Sequence, residues 1–242
     1  MAASHDDPLP VRGPGVRTTR HRGRMTDRKR TQLTELVPRW AVDPDGPWTR
    51  RDLATAFGRA GVLYLDIGVG DGTATRSWAE ETPTADVLAV ELHQPGVAHL
   101  LGELEARGPA NIRVAMADAT VVLAALEPGS VGHLRVLFPD PWPKRRHVAR
   151  RLVDRVFLAA AAEALTPGGI LHLATDWTDY ADQMRSMSRT EPRLLPRPEP
   201  ETDVTGPWRS ARPDRPVTAY ERRGLAAGRT ITDLIWERCT TR

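Results

Sequence analysis

The chain of 242 residues carries 34 Lys+Arg against 31 Asp+Glu, a net charge of +3, and is 40% hydrophobic; this ordinary globular composition excludes gross disorder and favours one large domain. Its single cysteine, Cys239, excludes an intramolecular disulfide framework and a Cys-rich zinc site, and fits a reducing compartment. Apolar runs such as 156–162 fall far short of the ~20 residues of a bilayer span, and the polar N-terminus, with Asp6 and Asp7, lacks the apolar segment of a secretory signal. A soluble, cytoplasmic protein without membrane contact is expected.

Residues 1–24 are rich in Pro, Gly and Arg, show no apolar periodicity, and read as a basic flexible arm ahead of one domain over 25–242. Residues 1–30 hold eight Lys/Arg and three Asp, a net of +5 that leaves −2 for the remainder.

From residue 62 short apolar runs alternate with helical segments, the pattern of a parallel α/β sheet. Strands are predicted at 62–69, 86–92, 112–117, 133–138, 170–174 and 231–237, and helices at 73–81, 96–106, 119–126, 148–165 and 178–188. The helix over 148–165 has the clearest pattern: Leu152, Val153, Val156, Phe157, Ala160 and Ala164 recur at helical spacing, and Thr166-Pro167-Gly168-Gly169 ends it. Seven prolines between residues 190 and 217 mark that stretch as mostly loop.

Ligands of open α/β sheets bind outside the carboxyl ends of the strands, and here those ends are acidic five times over: Asp66, Glu91, Asp118, Asp140 and Asp176. One such acid is ordinarily a helix cap or a solvated turn. Five on one rim are not explained that way. After the first strand, Asp66-Ile67-Gly68-Val69-Gly70-Asp71-Gly72-Thr73 forms a G-x-G-x-G turn leading into a helix, in which Gly68 and Gly70 let backbone amides approach a ligand closely. The dinucleotide fingerprint would need Gly or Ala where Thr73 stands. Asp66 and Asp71 would repel a pyrophosphate, whereas a sulfonium cofactor without phosphate, S-adenosylmethionine, tolerates an acidic rim. Glu91 is placed to accept the ribose hydroxyls and Asp118 the adenine amino group.

The fourth strand runs into Phe138-Pro139-Asp140-Pro141-Trp142-Pro143-Lys144, a proline-stiffened loop with an acid and an aromatic, suited to a planar base. Directly after it, Lys144, Arg145, Arg146, Arg150 and Arg151 place five fixed positive charges at the mouth of the site, without an acid among them. Together with the basic segment 12–30 they are expected to form one phosphate-binding footprint.

These residues resemble the bacterial tRNA (guanine-N7)-methyltransferases over most of the chain, from about Arg22 to Arg238. The resemblance is carried by Arg24 and Gln32, DIGVGDG at 66–72, ELHQPGV at 91–97, Asp118-Ala119, FPDPWPKRRH at 138–147, ATDW at 174–177 and RPVTAYERRG at 215–224. It implies a class I methyltransferase fold: a Rossmann-like open sheet, mostly parallel with one antiparallel strand, and helices on both faces. It further implies that Asp66, Glu91, Asp118 and Asp140 contact S-adenosylmethionine, that Asp140 is catalytic, and that Lys144, Asp176, Thr218, Tyr220 and Glu221 contact a tRNA substrate, methylated at N7 of guanine 46 in the variable loop. No metal is implied, and monomer and homodimer both stay open. The chain departs from the family at Asp66, where Glu is usual, at Ala219, where Lys is usual, and at Tyr220, which replaces Phe. Methyl transfer to a protein or small molecule, a nicotinamide oxidoreductase and a non-catalytic RNA-binding module are the rival readings; the basic loop, Thr73 with Asp71, and the intact acidic rim argue against them in turn.

Overall fold

The computed structural model describes residues 25–43, 46, 48–197 and 215–240; the arm expected at 1–24 lies outside them. Seven strands, β1 (Val62–Ile67), β2 (Ala85–Val90), β3 (Ile112–Ala115), β4 (Val131–Leu137), β5 (Leu165–Thr175), β6 (Leu194–Pro196) and β7 (Thr232–Arg238), form one sheet in the order β3-β2-β1-β4-β5-β7-β6. β7 runs antiparallel to both of its neighbours, while β1 to β5 pair in parallel. The chain leaves β1 for β2 and β3 on one side and returns to β4 on the other. The crevice outside the ends of β1 and β4 is therefore the switch point at which ligands bind such sheets.

The helices are α1 (Asp27–Trp40), α2 (Arg50–Phe57), α3 (Thr73–Glu81), α4 (Gln94–Arg107), α5 (Ala119–Ala125), α6 (Arg155–Ala164), α7 (Thr178–Ser188) and α8 (Ala219–Ala226). Strand alternation divides the core in two. On one face Leu65, Leu88, Leu134 and Leu171, in register on four adjacent strands, pack with Phe157 and Leu158 of α6 and Tyr180 of α7. Each of these leucines is fully buried, which stabilises the fold by roughly 1.5–3 kcal/mol per side chain. On the other face Val87 and Val114 pack with Trp78 of α3, Val97 and Leu101 of α4 and Leu33 of α1. Gln32 of α1 sits where a Cβ on Gly102 of α4 would stand, so that glycine lets the two helices meet.

Several elements escape the sequence pattern. α2 starts with a capping box, in which the Thr49 hydroxyl accepts from the Asp52 amide at 3.2 Å and the Asp52 carboxylate accepts from the Thr49 amide at 3.2 Å. α1, α8 and the short β6 likewise lie outside the predicted elements. The single helix expected over 148–165 is two pieces, a 3-10 turn at Arg145–Arg150 and α6. Asp154 starts α6 afresh by accepting from the Phe157 amide at 2.9 Å, and the Val153 amide turns inward to donate to the Tyr180 hydroxyl at 2.9 Å. Val156, expected on the inner face, is 73% exposed. Thr166 to Gly169, expected to end the helix, instead lie within β5, whose pairing with β4 shifts register there.

Candidate active site at the switch point

Gly68, Gly70 and Gly72 all adopt left-handed φ values, 75°, 60° and 77°, which a side chain would strain. The turn is fixed at three points: the Gly68 amide donates to the Val90 carbonyl at 2.9 Å, the Gly72 amide to the Val69 carbonyl at 2.9 Å, and the Gly70 amide to Glu91 Oε2 at 3.1 Å. Glu91 Oε1 accepts from the Leu92 and His93 amides, each at 2.8 Å. Asp118 caps α5, its Oδ1 accepting from the Thr120 amide at 2.8 Å and hydroxyl at 2.6 Å.

Asp66 is placed differently from the other rim acids. It is 3% exposed, and its oxygens accept from Arg135 Nε at 3.1 Å, Arg135 Nη2 at 2.7 Å and the Thr75 hydroxyl at 2.7 Å. The Arg135 guanidinium in turn lies 4.0 Å from the Trp78 ring centroid. The pair joins β1, β4 and α3 beneath the glycine turn, and its charge is neutralised internally.

At the end of β4 the chain passes through two left-handed non-glycine residues, Phe138 (φ 54°) and Trp142 (φ 44°), each costing on the order of 1–3 kcal/mol. Asp140 lies between them. Trp142 is only half-buried, with its ring 5.5 Å from that of His147 and 4.9 Å from the Arg150 guanidinium. Lys144, Arg145, Arg146 and Arg150 are exposed, as a phosphate-binding surface needs. Arg151 is not: its side chain is 2% exposed, which removes it from the expected footprint. Burial and the neighbouring cations Arg150, Arg146 and Lys144 hold the His147 pKa below its ordinary value.

The Thr218 to Glu221 motif opens α8. The Thr218 hydroxyl accepts from the Glu221 amide at 3.1 Å, an N-cap that the T-x-x-E pattern announces. Tyr220 reaches over the glycine turn, so that a Cβ on Gly70 would lie 3.3 Å from Tyr220 Cε2. One cleft is therefore lined by Gly68, Gly70, Asp66, Phe138, Thr218 and Tyr220. Asp176, after β5, accepts from Arg229 Nε at 2.7 Å and packs against Gly224 of α8.

Behind this cleft lies a buried group that takes in Glu221, which the resemblance placed against the substrate, together with Arg215, Asp233 and His172, to which the sequence assigned no role. Glu221, 2% exposed, accepts from Arg215 Nη1 at 2.6 Å, and Arg215 also reaches Asp233 of β7 through Nη2 at 3.1 Å. Asp233 Oδ1 meets His172 Nε2 at 2.7 Å. Burial opposes the Arg215 charge, but Asp233 and Glu221 outweigh it and raise its pKa. Burial likewise opposes ionisation of Asp233, and His172 and Arg215 overcome it. For His172 burial prevails over Asp233, so its pKa is lowered. The guanidinium of Arg215 lies 5.5 Å from the Phe138 ring centroid, tying α8 and β7 to the end of β4. An acid inside the apolar run of β7 was the available signal, since a buried carboxylate requires a partner.

The family model described as "Putative methyltransferase" matches residues 60–234. The tRNA (guanine-N(7)-)-methyltransferase of Alkalilimnicola ehrlichii is 42% identical over 221 residues, covering 90% of each chain. That of Halorhodospira halophila is 43% identical over 218 residues, covering 90% of this chain and 92% of the relative. The chain belongs to the bacterial tRNA (guanine-N(7)-)-methyltransferase family. In Streptomyces coelicolor the protein of that name is 43% identical over 221 residues, 90% of this chain and 78% of its own length. Among solved structures, the 16S rRNA methyltransferase KamB is 17% identical with a TM-score of 0.54, over 79% of this chain and 94% of its own. The antibiotic-resistance methyltransferase Kmr is 19% identical with a TM-score of 0.53, over 81% and 95%. These two share the fold. Among the described residues no helix is long and apolar enough to cross a membrane, and no cluster of three His, Cys, Asp or Glu side chains could hold a metal ion.

Proposed function

We propose that the chain methylates the guanine at nucleotide 46 of the tRNA variable loop, in the cytoplasm, with the cofactor over the glycine turn and the base beside Asp140 and Asp176. The reaction is transfer of a methyl group from S-adenosylmethionine to N7 of guanine in tRNA. The observation that supports this placement of the cofactor is the shared cleft: the glycine turn after β1 and the Phe138 end of β4 face each other under Tyr220.

The residues fit the cofactor. Nothing lies within 4 Å of a Cβ built on Gly68, leaving backbone open to a ligand. Asp118 Oδ2 has no partner among the described residues, which suits the adenine amino group, and Glu91 Oε2 keeps one acceptor position for a ribose hydroxyl. When bound, S-adenosylmethionine supplies a methyl group on a cationic sulfur. Asp66 acts by lining the cleft and pinning α3, since Arg135 and Thr75 already hold its oxygens.

Guanine N7 has an in-plane lone pair and no proton, so no general base has to act and positioning dominates, an effect that supplies up to about 7–11 kcal/mol. Asp140 and Asp176 accept from the guanine N1–H and amino edge and stabilise the positive charge that grows on the methylated base. Lys144 and the exposed arginines after it hold the phosphate backbone, which positions the RNA without reading sequence; Thr218 and Tyr220 close the cleft from α8.

The test is radiolabelled methyl transfer to unmodified tRNA, followed by borohydride and aniline, which cleave the chain at N7-methylguanosine. Scission at nucleotide 46 is expected. Scission elsewhere overturns the position, and absence of methyl incorporation overturns the reaction.

A further inference from the structure

We infer that Arg151 is a positioning residue for methyl transfer, holding the Asp140 loop at a set distance from α7, and that it makes no contact with tRNA. The inference rests on the assignment of Asp140 and Asp176 to the guanine. Arg151 stands at the end of a basic run whose other members face solvent, yet its guanidinium is buried and fully engaged on the protein side. Nε donates to the Pro141 carbonyl at 2.7 Å, Nη1 to Gln183 Oε1 at 2.7 Å and Nη2 to Asp179 Oδ2 at 2.6 Å. Its flat face lies 4.7 Å from the Tyr180 ring centroid.

The partners explain what this achieves. Pro141 separates Asp140 from Trp142, inside the segment with left-handed residues at both ends; such backbone persists only where its surroundings over-determine it. Gln183, Asp179 and Tyr180 belong to α7, which begins two residues after Asp176. One guanidinium thus links the loop bearing one acid to the helix that follows the other. Tyr180 anchors the far side, because its hydroxyl accepts from the Val153 amide at 2.9 Å just before α6. A three-way fork of this kind requires the planar guanidinium; a lysine ammonium keeps the charge but not the geometry.

That difference is the test. Arg151→Lys and, separately, the double variant Asp179→Asn with Gln183→Met are compared with wild type and with Arg145→Ala for kcat, KM for tRNA, cofactor affinity, and tRNA affinity across a salt series. Displacement of the acid by about 1 Å predicts a kcat 10- to 100-fold lower in Arg151→Lys, with KM for tRNA, cofactor affinity and the salt slope all as in wild type. Arg145→Ala is distinguished by a flatter salt slope. The double variant, which leaves every cation in place, shows the same split of lowered kcat and unchanged KM to a smaller degree, and decides the matter if Arg151→Lys fails to fold. Wild-type kcat in Arg151→Lys, or a salt slope as flat as that of Arg145→Ala, overturns the inference. Wild-type turnover on tRNA in the same series tests the functional reading separately: with turnover present, an unaffected Arg151→Lys overturns the role of Arg151 alone.

Discussion

Glu91 Oε2 accepts from the amide of Gly70 at 3.1 Å, so the acid that ends β2 also sets the shape of the glycine turn that follows β1. On the proposed assignment, removing it removes both a ligand acceptor and the anchor of the turn. Glu91→Ala is expected to weaken S-adenosylmethionine binding about 10- to 100-fold, the effect of losing one charge-assisted hydrogen bond of ~1.5–3 kcal/mol. Calorimetry with the cofactor alone measures this, and an unchanged affinity would remove Glu91 from the cofactor site.

On the proposed assignment Asp176 belongs to the acceptor side; Arg229 and Gly224 hold it in place. Asp176→Ala is expected to leave cofactor affinity within about twofold of wild type, since distant sites act independently, while turnover on tRNA collapses. Equal loss of cofactor affinity in Asp176→Ala and Glu91→Ala would show that the rim is not divided in this way.

The Asp66–Arg135 pair is buried on both sides, with side chains 4% and 3% exposed. Arg135→Met leaves a buried carboxylate without its cation, a change that costs about 3–5 kcal/mol. Asp66→Ala combined with Arg135→Met costs less than the two single changes summed, because the stranded charge is gone. Urea unfolding of the four proteins checks this; additivity would mean that the two residues do not interact.

Among the basic residues, Arg145 and Arg146 face solvent beside the loop. Each phosphate contact contributes about −0.7 to −0.9 to the log–log dependence of tRNA affinity on salt. Arg145→Ala with Arg146→Ala should therefore flatten the slope by up to about twice that amount and lower kcat through lost positioning. An unchanged slope would move the RNA-binding face elsewhere.

His133 lies beside the stacked rings of Tyr64 and Trp78, whose centroids are 5.4 and 4.8 Å away. Burial first, then the charges of His172, Arg135 and Arg197, lowers its pKa to about 3. In the unfolded chain it titrates near ~6.5, so between these values the unfolded state binds the extra proton and stability falls as pH falls. At pH 5 the loss from this group amounts to about 2 kcal/mol relative to neutral pH. Denaturant unfolding across pH 5–7.5 should show a shallower acid slope in His133→Phe, and identical slopes in variant and wild type would rule His133 out as the source.

What the sequence determined by itself is local in origin. The glycines of residues 68–72 follow from a turn that needs left-handed backbone, α3 and α7 were bounded correctly from periodicity and punctuation, and the acids fell at strand ends because a strand's end can be read from its own apolar run. The family motifs, contiguous in the chain, led to the methyltransferase assignment for the same reason. The tertiary structure decided what depends on strand register and on packing between distant segments. Asp66 meets Arg135 because β1 and β4 pair in that register, which neutralises a charge that the sequence left open. Arg151 turned inward because α7 offers it two acceptors and an aromatic face, although by charge alone it matches its exposed neighbours. Arg215 and Asp233, 18 residues apart, acquire their partnership only when β7 is laid antiparallel between β5 and β6. Ion pairs of this kind cannot be read from spacing, because burial, which decides whether a charge is solvated or paired, is a property of the folded chain.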